Sequence, residues 1–334
     1  MKRVLIIKPS ALGDVIQATC MLPVIKEHDP DIHISWLVFE HNKEVVVDHP
    51  LLDEVITLDR YGGVLKAWSR TRRQMRQMDF DTVIDIQCLL RSALLSFVSG
   101  CTRRIGFANG RELSTLFYTE TCDIPTRSMH AVDGYLALCE TLGMKRPEDV
   151  RFPLPIKERH RQRVESLFPE EGEGECTVVV CPTAGWPSKC WPEASFAALA
   201  DMLVEERRAR ILLVGAPGEK EAVGRVAGLM QRPCLDLSGK LSLMEVAALL
   251  ERSDLFVGND SGLMHMASAT RTPCVAVFGP TDPGRTGPYN PLSQTIQADL
   301  ECVPCFRKHC REMTCMKEIS PETVERMCLD RLMP

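Results

Sequence analysis

No apolar stretch of this 334-residue chain approaches the ~20 residues that carry a helix across a bilayer. The first apolar run, Val4 to Ile7, is also far shorter than the ~7–15-residue core of a secretion signal. The expectation is a protein that stays in the cytoplasm. Net positive charge is missing as well: 40 Lys and Arg stand against 45 Asp and Glu, a balance of −5. Nucleic-acid binding by bulk electrostatics is thereby excluded. No P-loop lysine motif occurs, and no Gly-x-Gly-x-x-Gly follows a strand, which argues against P-loop and nicotinamide chemistry. No close pair of acids dedicated to Mg²⁺ stands out. Cysteine, in contrast, is plentiful at 15, yet most sit singly inside apolar elements, as at Cys88, Cys139, Cys181 and Cys274. That pattern suits a reducing compartment better than a disulfide framework.

What is present is an alternation of apolar strands and helical patterns. With 45% hydrophobic and 25% charged residues the balance is that of a soluble globular protein, and the length predicts two domains. The continuous apolar run Val4–Ile7 is the signature of a parallel sheet covered on both faces, and further strands at His33–Phe39, Glu54–Leu58 and Thr82–Ile86, with a short one at Arg104–Phe107, alternate with helical patterns. Pro147 to Glu175 reads as the joint. It carries four prolines and the exposed loop Glu170–Glu175, with a helix expected over Lys157–Phe168. The alternation restarts at Thr177–Cys181 and continues through Arg210–Val214, Cys234–Leu237, Asp254–Val257 and Pro273–Phe278. The fold class is therefore α/β, with Rossmann-like halves at residues 1–155 and 156–334. The second half ends in a cysteine-rich tail whose last helix has the option of packing back on the first half. Two such halves imply a cleft between the carboxyl ends of two sheets, the edge at which open α/β sheets bind ligands.

The turns at that edge carry the polar residues. They supply Asp14 after the first strand, Thr183 and Lys189 after Val178–Cys181, Glu219 after Ile211–Val214, and Asp260 after Leu255–Val257. The apolar run breaks at Gly258, and Ser261-Gly262 opens a small-residue helix with His265 one turn in. Strand, turn and helix start aim backbone N–H groups and a positive dipole end at an anion. A base, a cation, a hydroxyl binder and such a helix start are a kit for displacing a diphosphate leaving group without a metal. Each part also has a plainer reading: Asp14 and Ser261 as helix caps, Lys189 as a solvated lysine.

Taken together, Lys8-Pro9-Ser10-Ala11-Leu12-Gly13-Asp14-Val15, Asp85–Ser92, Ile105–Asn109, Lys189-Cys190-Trp191-Pro192, Asn259–His265 and Phe278–Pro283 are specific. On these motifs the whole chain resembles the family 9 glycosyltransferases, the ADP-heptose:lipopolysaccharide heptosyltransferases, and most of all those that add the first heptose to Kdo–lipid A. The resemblance implies a GT-B fold, two Rossmann-like domains facing each other across a cleft, with no cofactor or catalytic metal and inversion at the anomeric centre. It implies Asp14 as general base and Lys189 on the donor phosphates, with Thr183 nearby. Glu219 would hold the ribose, Leu241 the adenine and Asp260 the heptose. Ser261, Gly262 and Leu263 would offer N–H groups to the pyrophosphate, His265 completing the donor site. Ser10, Gly13, Arg60 and Arg91 would meet the acceptor. The first domain would thus bind the acceptor and the second the nucleotide sugar, at the inner face of the inner membrane. Other nucleotide sugars, a later core acceptor, an epimerase of the same fold and a non-catalytic nucleotide-sugar module remain as alternatives.

Two features stand apart. Arg60, Lys66, Arg70, Arg72, Arg73 and Arg76 form a run of cations without an acid. It is either a solvated helix face or a site for acceptor phosphates and the anionic membrane surface. Cys302, Cys305, Cys310 and Cys315 have a spacing open to a structural Zn²⁺, although the second pair is loose for a zinc ribbon.

Overall fold

Short apolar strands, each followed by a turn of small residues, build the same sheet twice. The computed structural model describes residues 1–59, 64–167 and 176–332, and the chain divides into two compact units, Met1–Pro155 and Ile156–Pro334.

The first unit holds strands β1 (Arg3–Ile7), β2 (His33–Phe39), β3 (Glu54–Leu58), β4 (Thr82–Asp85), β5 (Arg103–Phe107) and β6 (Glu120–Cys122). Helices α1 (Leu12–Ala18), α2 (Met21–His28), α3 (Val64–Gln77), α4 (Leu90–Val98) and α5 (Ala131–Thr141) connect or cover them. All pairings are parallel, in the order β3-β2-β1-β4-β5-β6. Val4, Leu5, Ile6 and Ile7 are fully buried, as a strand covered on both faces requires, each worth about 1.5–3 kcal/mol of transfer free energy.

The second unit repeats the plan. Its helices are α6 (Glu158–Glu165), α7 (Glu193–Arg207), α8 (Lys220–Leu229), α9 (Leu243–Arg252), α10 (Gly262–Ala269), α11 (Pro283–Thr286), α12 (Thr314–Lys317) and α13 (Pro321–Arg331). Its strands are β7 (Thr177–Cys181), β8 (Arg210–Leu213), β9 (Cys234–Asp236), β10 (Leu255–Asn259), β11 (Cys274–Phe278) and β12 (Gln294–Gln297), ordered β12-β11-β10-β7-β8-β9. Counted from its own first strand, this is the order of the first sheet. It is the doubly wound order whose direction reverses between the first and fourth strands, where connections leave to opposite sides and open a crevice. The reversal falls between β1 and β4 in one unit and between β7 and β10 in the other.

Three details differ from the sequence reading. β10 does not stop at Gly258 but runs to Asn259, with Gly258 paired to Cys181 and Ala276. A Cβ there would meet the Cys181 carbonyl at 3.0 Å, so a missing side chain marks close strand packing and not a break. Edge strands β6 and β12 were not expected, because Glu120–Cys122 and Gln294–Gln297 are short and polar. Helix α6 ends at Glu165 within the span expected to reach Phe168, and the Glu170–Glu175 loop lies outside the described residues. Helix α13 packs within its own unit against α7 and β11, with Val324 and Cys328 fully buried.

Candidate active site

In the first unit, β1 delivers Lys8 and α1 delivers Asp14. Asp14 occupies the first turn of α1, where its Oδ2 accepts the Ala11 N–H at 3.2 Å. The same oxygen lies 3.4 Å from Lys8 Nζ. The N-cap of α1 is Ala11, not Asp14, which sits at the third helical position and bonds back to it; the carboxylate is also ion-paired while 39% of its side chain stays exposed. Lys8 is buried, with its ammonium 5.9 Å from the Tyr135 ring centroid. Burial alone would lower its proton affinity, but the Asp14 carboxylate and the Tyr135 hydroxyl together hold it above its ordinary value. Burial raises the Tyr135 phenol to about 12. Lys8 is thus a fixed cation under the candidate base, and sequence reasoning passed over it although it opens the motif. The signal was available: a lysine at the carboxyl end of a fully buried strand rarely goes unpaired.

Across the strand reversal, β4 ends on Asp85, which is fully buried and opposite Ile7. Its carboxylate accepts the Tyr118 hydroxyl at 2.8 Å and the N–H groups of Gln87 and Cys88 at 2.9 and 3.1 Å. Burial pushes its proton affinity up, and the donors offset only part of that rise. This clamp shapes the turn that leads to Arg91. Ser10 and Arg91, both expected at the acceptor, line one cavity of about 260 Å³ with Gln87, Leu89 and Glu112. Gln87 has a buried Oε1 that meets no donor among the described residues. Gly13 is buried in the first turn of α1. Arg60 lies outside the described residues. In α3, Arg72, Arg73 and Arg76 are exposed.

In the second unit, the turn after β7 and the helix after β10 meet. Lys189 closes a short 3₁₀ turn, Pro187–Lys189, and its Nζ lies 2.6 Å from Asp260 Oδ2. Asp260 is 5% exposed and also accepts the Thr281 hydroxyl at 2.6 Å. Breaking one partner of a pair this buried typically costs about 3–5 kcal/mol, so the lysine is not a solvated surface group. Fully buried Asn259 holds both sides in register: its Oδ1 accepts the Trp191 N–H at 2.9 Å and its Nδ2 donates to the Pro182 carbonyl at 2.9 Å. The sequence motifs contain Asn259 and Thr281 but do not reveal these roles, which depend on partners distant in the chain. Ser261 caps α10, its Oγ accepting the Met264 N–H. The first N–H groups of that helix, from Gly262 and Leu263, have no partner within it. His265 is buried farther along α10. Thr183, Glu219 and Leu241 stand on neighbouring turns and make local contacts instead: Thr183 with the Cys181 thiol, and Glu219 with the Ala216 N–H at 2.7 Å. Leu241, half-buried, precedes α9.

The expected zinc site is not supported. Among the described residues, no three His, Cys, Asp or Glu side chains are gathered to hold a metal ion. Burial pushes the Cys315 thiol up, with smaller contributions from Cys302, Cys305 and Cys310.

Residues 68–316 match the family described as glycosyltransferase family 9 (heptosyltransferase). The chain belongs to that family. The glycosyltransferase is 30% identical to lipopolysaccharide heptosyltransferase 1 of Pseudomonas aeruginosa, over 99% of its own length and 95% of the relative's. A crystal structure of a family 9 glycosyltransferase from Veillonella parvula matches with a TM-score of 0.87 at 25% identity, covering 99% of this chain and 97% of the other. The Escherichia coli heptosyltransferase WaaC with ADP matches with a TM-score of 0.79 at 26% identity, covering 98% and 99%. The enzyme thus has the two Rossmann-like units of the GT-B fold.

Proposed function

We propose that this glycosyltransferase moves heptose from ADP-heptose to the Kdo–lipid A inner core of lipopolysaccharide, inverting the anomeric centre. The first unit would bind the acceptor and the second the donor. The observation that carries the reading is the pair of strand reversals, one furnished with a half-exposed carboxylate on a buried lysine, the other with a lysine–aspartate pair at a helix start. Asp14 takes the proton as the acceptor hydroxyl attacks. Lys189 and the N–H groups of Ser261, Gly262 and Leu263 receive the charge that gathers on departing ADP, and losing such a stabiliser typically costs about 3–4 kcal/mol of barrier. Asp260 holds the heptose, Glu219 the ribose hydroxyls, Leu241 the adenine, with Thr183 and His265 completing the donor site. Ser10, Gly13, Arg60 and Arg91 meet the acceptor. No helix among the described residues is long and apolar enough to cross a membrane. Contact with the inner-membrane surface, from the cytoplasmic side, then falls to the basic run around Arg72, Arg73 and Arg76, at ~1 kcal/mol per charge.

The test is steady-state ADP release from ADP-heptose and Kdo–lipid A, beside calorimetric donor binding. Asp14→Asn is expected to bind donor as the parent does and to lose about 10²–10⁴-fold in kcat, the usual worth of a positioned general base. Asp260→Ala is expected to weaken donor binding and turnover together. Asp14→Asn turning over like the parent leaves Asp14 a structural residue of the first turn of α1 and removes the mechanism. Donor binding without acceptor-dependent release would mark a binding module.

A further inference from the structure

The lysine–aspartate pair poses a problem of charge. The Lys189 ammonium is matched by the Asp260 carboxylate at 2.6 Å, so the pair as a unit is neutral, whereas a nucleoside diphosphate leaves as a polyanion. A helix start adds only about half a positive charge. A further cation is needed, and one is at hand. The indole of Trp186 has the Lys189 ammonium 4.6 Å from its centroid and the Lys308 ammonium 5.4 Å from it. Lys308 reaches this ring because the cysteine-bearing segment is pinned to the Lys189 turn. Buried Ser188 donates its hydroxyl to the Arg307 carbonyl at 2.6 Å and its N–H to the Lys308 carbonyl at 3.4 Å. The Phe306 N–H donates to the Pro280 carbonyl at 2.8 Å, beside the Thr281 that bonds Asp260. Two ammonium groups sharing one aromatic ring repel each other, and an anion between them relieves that repulsion.

We infer that Lys308 is a second cation for the donor's diphosphate, brought to Lys189 across Trp186 by the C-terminal segment. This rests on the assignment of Lys189 to the donor phosphates. It gives the cysteine-bearing segment a task, in which the lysine makes the contact.

Calorimetric titration of the full chain with ADP, AMP and adenosine tests it, using Lys308→Gln, Lys308→Arg and, in parallel, Lys189→Gln. Lys308 is exposed, so neither of its variants removes a buried side chain. Lys308→Gln is expected to weaken ADP about tenfold, AMP less and adenosine not at all, with Lys308→Arg close to the parent. An ADP affinity unchanged in Lys308→Gln, while Lys189→Gln loses it, overturns the inference and leaves the donor site standing. Equal losses for ADP and adenosine also overturn it, since a merely structural clamp acts on every ligand alike. If Lys189→Gln itself binds ADP like the parent, the underlying donor assignment is what fails.

Discussion

At the scale of single residues, the chemistry is set by what lies underneath the obvious candidates. Asp14, proposed above as the base, has Lys8, a buried cation, 3.4 Å away. An opposite charge at this distance favours the carboxylate form, typically by 1–3 pH units. Replacing Lys8 with Met removes that charge, so Asp14 holds its proton to higher pH. The acid limb of kcat/KM is then expected to move upward by about one unit or more, with little change in donor binding. A pH–rate profile of Lys8→Met that overlays the parent's would show that Lys8 is only structural. Asn259 and Lys308 illustrate what the chain does not disclose in one dimension. Each acts on a group far away in sequence, and only the strand register and the loop contacts reveal the partner.

At the scale of elements, most of the fold was legible. Strands β1, β2, β4 and β7 are buried along nearly their whole length, as a doubly covered parallel sheet demands, and with β3 they lie where the sequence puts them to within a residue or two. Edge strands β6 and β12 carry little apolar pattern because they are short and mostly polar, unlike the edge strand β3 with its Val55, Ile56 and Leu58. Gly258 was misread for a related reason: a glycine resembles a breaker in sequence, while in the sheet it makes room for the neighbouring backbone. Gly258→Ala places a Cβ 2.9 Å from the Phe256 ring and 3.0 Å from the Cys181 carbonyl. Overpacking of this kind costs about 1–3 kcal/mol, and thermal denaturation is expected to begin several degrees lower. An unchanged melting curve would mean that β7 and β10 yield without strain. Lys189 was recognisable from its motif. Its bond to Asp260 was not, because it depends on Asn259 tying the turn to the end of β10.

At the scale of the whole molecule, one strand order occurs twice, and each copy has a lysine–aspartate pair on the turns beside the point where that order reverses. The two units can still be furnished differently while their cores obey the same rules. The cores also decide the fate of the thiols. Burial raises the proton affinity of Cys88 and Cys139 to about 12 and of Cys181 to about 11, and it pushes up Cys20, Cys274 and Cys328 as well. Reagents attack thiolates, so these sulfurs are chemically silent at neutral pH. Cys302 and Cys310 alone are exposed among the cysteines. A limiting amount of maleimide is expected to mark those two first, and peptide mapping that finds a sheet cysteine ahead of them would contradict it. The enzyme thereby comes with its own attachment point for a fluorophore. It lies on the segment that carries Lys308, where a nucleotide bound as inferred above is expected to register as a change in light.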